Sequence, residues 1–147
     1  MATQNEFKKL ASERLTTAEF LIEAGEWLMA AYIMGFVLEC VLKAASCKTL
    51  HLSKYPEFGN GVKQEVAAYF RTHNFDQLLV VSGLSDIFTL TGKYSSQWSG
   101  FTQEYQGKWT DLRYDIYAKQ FTEEKVKNMH TFLKNGIIKA IEEEKRW

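Results

Sequence analysis

The chain has 147 residues, 46% of them hydrophobic and 14% aromatic, with a single proline. That composition fits one folded domain over 1–147 and excludes a disordered or collagen-like polymer. Lys+Arg and Asp+Glu both number 18, so no net charge draws the whole molecule toward nucleic acid or acidic lipid.

The start, Met1 to Leu10, is polar and carries no apolar leader, and the longest uncharged run is Trp27 to Leu38. A membrane span takes about 20 apolar residues. The expectation is a soluble cytoplasmic protein with no membrane segment. A first helix is predicted over Glu6 to Ala24, where Phe7, Leu10, Ala11, Leu15, Ala18, Leu21 and Ile22 recur at helical spacing. Gly25 ends it.

The second helix, Trp27 to Cys47, is apolar almost all round, the pattern of a central helix touched by several neighbours. Cys40 and Cys47 lie about 10 Å apart along its axis. A disulfide cannot reach that far, and both read as small core residues. Glu39 and Lys43 interrupt the apolar pattern one turn apart, in the order that suits the helix field. In apolar surroundings each charge needs a partner, and Arg113 is the expected one for Glu39.

Lys48 to Asn60 reads as a loop, followed by a short helix over Val62 to Phe70. Asn74 and Gln77 have capping spacing and open a helix that runs to Ser82 or Leu84. Ser85 to Leu90 is a further short turn. In Thr91 to Gly107, Phe101 and Tyr105 share a short helical face. Trp98, Phe101 and Trp109 are either core or an exposed interface patch. Trp109 to Tyr117 is helical. Thr122 caps the last helix, with Glu123 and Glu124 in its first turn and a buried stripe from Val126 to Ile141. Gly136 marks a close backbone crossing there. No segment alternates as a strand does. The fold expected is all-α: an up-and-down bundle of four main helices plus short ones.

His51, His73 and His130 are far apart in sequence and no His/Cys group has ligand spacing, so neither a metal nor another cofactor is expected. Gly83 and Gly92-Lys93 lack the spacing of a phosphate loop. Arg113, between Asp111 and Asp115, holds a carboxylate or a phosphate bidentately, and an internal clamp is the first expectation. Glu39, Lys43, Arg113, Tyr114 and Lys119 are the candidate ligand- or partner-binding residues.

The order of these segments resembles the HEPN domain family. The resemblance is carried by Ala18 to Ile22, the Ala30 to Ala44 helix with Glu39 inside it, the segment His73-Asn74-Phe75-Asp76-Gln77-Leu78-Leu79, Leu112-Arg113-Tyr114 and the long terminal helix. It implies a helical bundle that dimerises. Many such domains are metal-independent ribonucleases that use Arg, four to six residues, then His. With Arg113 as that arginine, the histidine falls at Ala118, Lys119 or Gln120, and none is histidine. Acid–base chemistry near neutral pH needs such a group. The reading drawn from the resemblance is a non-catalytic interaction protein. Its partner is a nucleotidyltransferase or another toxin–antitoxin or defence component, and nucleotide or RNA phosphate is its possible ligand. The competing readings are a ribonuclease toxin in which His73, or next His130, replaces the missing base beside Arg113, and a nucleotide-binding module.

Overall fold

The computed structural model describes residues 2–56, 68–114 and 120–147. Every regular element among them is helical: α1 (Gln4–Glu23), α2 (Trp27–Thr49), α3 (Phe75–Ser82), α4 (Ser85–Phe88), α5 (Ser95–Thr102), a 3₁₀ turn (Trp109–Tyr114), α6 (Glu123–Thr131) and α7 (Lys139–Glu143). α6 and α7 are one continuous rod, joined by π-type turns over Phe132–Ile138. Residues 68–70 are helical; the rest of the helix expected from Val62 lies outside the described residues, as do Ile116, Tyr117 and Lys119.

α1 starts two residues before the predicted Glu6, because Thr3 and Glu6 form a reciprocal capping box. It ends in a glycine turn: Gly25 takes φ +76° while Glu26 N–H returns to the Leu21 carbonyl. The chain therefore reverses within three residues, and α1 packs along α2.

α2 is the axis of the molecule. It touches α1, α3, the 3₁₀ turn, α6 and the π-type turns. Ala30, Ala31, Met34, Val37, Leu38, Val41, Leu42 and Ala45 are all fully buried. This helix is long and apolar enough to cross a membrane by length and composition, with mean hydropathy 1.8 over an 18-residue window. The twelve-residue uncharged run understated it, since Glu39 and Lys43 are only two charges in a long apolar stretch. Its position at the centre of the bundle accounts for the same apolarity, with 67% of that window buried.

The aromatic segment before residue 107 folds inward. Trp98, Phe101 and Trp109 are buried, so they form core and not an exposed interface patch. α5 crosses the terminal rod closely. A Cβ on Gly100 would stand 2.7 Å from the Phe132 ring, and one on Gly136 would stand 2.7 Å from Gln97.

Candidate functional site around His73

Glu39 is on the face of α2 that turns toward α3, and only 3% of it is exposed. Its Oε1 takes two partners: Lys43 Nζ at 3.0 Å, one turn on, and His73 Nδ1 at 2.7 Å, from the loop before α3. The expected partner Arg113 is not the one found. The capped start of α3 explains the difference. Asn74 Oδ1 accepts from Gln77 N–H at 3.1 Å, which fixes where the loop ends and delivers His73 to α2. An ionised carboxylate only accepts, so His73 Nδ1 carries the hydrogen and Nε2 is the nitrogen left to ligands.

Trp109 holds His73 from the other side. Its indole N–H donates to the His73 carbonyl at 2.8 Å, and its ring meets the imidazole edge-on at 6.2 Å. The indole reaches this place because α2 has no side chain at Gly35; a Cβ there would lie 2.7 Å from the ring. Phe75 stacks parallel to it at 5.8 Å. Tyr105 adds a second tie, donating its hydroxyl to the Ala31 carbonyl at 2.6 Å. The imidazole itself stays open, with 61% of its side chain exposed.

Two hollows meet at His73. The larger, about 670 Å³, is bounded by the loop before α3 and by the segment 105–111. The smaller, about 460 Å³, is bounded by α1, Lys43, Tyr55 and Arg71. Lys43 Nζ sits 5.3 Å from the Tyr55 ring centre, and Tyr55 donates to the Phe70 carbonyl at 2.6 Å. The negative charge of Glu39 is felt nearby. Burial first, and that charge second, raise the Tyr55 phenol and push the Cys40 thiol up to about 12. Both cysteines are buried and free.

The remaining candidates fall elsewhere. Arg113 is exposed, not an internal clamp: its guanidinium lies 4.7 Å from the exposed Tyr114 ring, and the Tyr32 phenol is its other aromatic neighbour. The neighbouring Tyr32 first, and Tyr114 second, raise its already high pKa further. Tyr32 in turn meets Trp109 at 5.5 Å. His130 is held by Glu19 of α1 at 2.8 Å, alongside Lys134 at 2.9 Å, and is not a base beside Arg113. Among the described residues no group of three metal-ligating side chains occurs. The sequence places Tyr105 on a short helical face without a role at this site, and does not single out Tyr55 or Arg71. The aromatic excess from Tyr94 to Trp109 was a signal for Tyr105.

No protein-family model, curated protein or solved structure matches this chain.

Proposed function

We propose that this chain is a non-catalytic, HEPN-like helical interaction protein that recognises nucleotide or RNA phosphate beside His73. We place it in the cytoplasm as a homodimer, partnered with a nucleotidyltransferase or another toxin–antitoxin or defence component. The observation that carries the reading is how the two expected catalytic groups are engaged. Arg113 lies 4.7 Å from the Tyr114 ring with Tyr32 beside it, His73 is bound to Glu39, and no histidine stands at 118–120. This arrangement supports charge recognition over cleavage, since among the described residues no hydrogen bond joins Arg113 to His73. Lys43, Arg71 and His73 line one hollow, where the lysine and the arginine supply the cationic side of such recognition and the imidazole a hydrogen-bonding edge. Incubation of wild type and Arg113→Ala with mixed RNAs, without metal, is the test. Intact RNA in both is expected; cleavage that depends on Arg113 overturns the reading. Saturable nucleotide binding weakened in Lys43→Gln is the positive counterpart.

One observation favours a second reading, the ribonuclease with a displaced base. A buried carboxylate on Nδ1 orients an exposed imidazole so that Nε2 can exchange a proton. In that case RNA is cut by wild type and left intact by a folded His73→Gln variant.

A further inference from the structure

The two hollows that share His73 have opposite chemistry. The smaller carries Lys43 and Arg71 beside the imidazole. The larger carries two carboxylates, Asp76 and Asp111, against one lysine, Lys108, with the hydroxyls of Thr72 and Thr110 between them. Both aspartates are exposed at its rim, and its inner wall is the Phe75, Tyr105 and Trp109 cluster. The first hollow offers a phosphate the Arg71 and Lys43 cations, the lysine being shared with the Glu39 carboxylate at 3.0 Å. In the second, carboxylates only accept, so they select a ligand that presents donors.

A nucleotide that spans His73 places its phosphate on the basic side and its base on the acidic side. Nucleobases differ in what they offer there. Guanine presents N1–H and N2–H₂ side by side, matching the two oxygens of one carboxylate. Adenine and cytosine each present an amino group next to a bare ring nitrogen that repels a carboxylate. Uracil presents one N–H between two carbonyls. We propose that this site binds guanine nucleotides, or an unpaired guanosine of RNA. The phosphate lies at Lys43, Arg71 and His73, and the guanine edge at Asp76 or Asp111. This rests on the phosphate-recognition reading above and adds to it the identity of the base. Both hollows fall in the size range of small-ligand sites.

The test is calorimetric titration of the full chain with GMP, AMP, CMP, UMP and inorganic phosphate, on wild type and on the Asp76→Asn/Asp111→Asn double variant. GMP is expected to bind about tenfold tighter than the other three nucleotides, the scale of one bidentate base contact. The double variant keeps phosphate and AMP binding and loses that preference. Both changes are at exposed positions, and circular dichroism verifies that the fold is kept. Equal affinity for all four nucleotides, or a preference unchanged in the double variant, overturns the base assignment and leaves phosphate recognition standing. Absence of binding by every nucleotide and by phosphate overturns both.

Discussion

Glu39 lies among apolar neighbours on α2, and the Lys43 ammonium and the His73 imidazole converge on a single one of its oxygens. The neutral isostere keeps the shape and loses the charge. Glu39→Gln is therefore expected to cost about 1.5–3 kcal/mol, the worth of a hydrogen bond to a charged group, read as a lower urea midpoint. Gly35 is the second position where one atom decides the outcome. Gly35→Ala drives a methyl into the Trp109 ring, which Phe75 and Tyr32 prevent from retreating. Overpacking of this kind costs about 1–3 kcal/mol. The variant is expected to unfold at lower urea and to show changed indole emission. Of this site, the Glu39–Lys43 pair was legible in the sequence, because i,i+4 spacing on an apolar helix is a local signal. His73 as the third member was not. It lies 34 residues away and arrives through loop geometry that no periodicity records. Choosing Arg113 for that role followed charge strength, and position overruled it.

At the level of the helices, short-range chemistry was the more readable part. Asn74 and Thr122 both cap as their spacing suggested, Thr122 accepting from Lys125 N–H at 3.3 Å. Thr122→Ala is expected to lower stability by about 1 kcal/mol, measured by urea unfolding, and to leave nucleotide titrations unchanged. Gly136 sits at the close approach its mid-helix placement implied. The π-type turns around it were not legible, since Phe132–Ile138 carries an ordinary helical stripe. They lie where the rod meets α5, with Phe132 over Gly100 and Gly136 against Gln97, a tertiary demand that local propensity does not encode. The fate of the aromatics at 98–109 was likewise settled by packing against α2 and the rod, which their composition left open.

Across the molecule, the apolar contacts hold α2 inside its neighbours, while polar ties fasten the outer helices. α1 is joined to the terminal rod through Glu19, which accepts from His130 and Lys134. Burial works to raise the Glu19 pKa, but the hydrogen bonds and charges of Lys134 and His130 outweigh it, so the net shift is downward. The Glu6 carboxyl is lowered too, chiefly by its bond from the Thr3 backbone. A carboxyl lowered on folding stabilises the native state above its unfolded pKa, and that contribution fades as pH falls through the folded value. Urea midpoints are accordingly expected to drop as the pH is taken from about 5 to about 3. Glu19→Gln should show a shallower drop over the same interval; an unchanged slope would mean that this junction contributes nothing to acid sensitivity.

The single indole bond from Trp109 to the His73 backbone has a kinetic corollary. Because that ring borders the larger hollow and also steadies the imidazole shared with the smaller one, a local opening that releases it loosens both walls in one event. The Trp109 indole proton and the amides at the start of α3 should then exchange with deuterium at a common rate. Ligand seated on either side of His73 should slow them together.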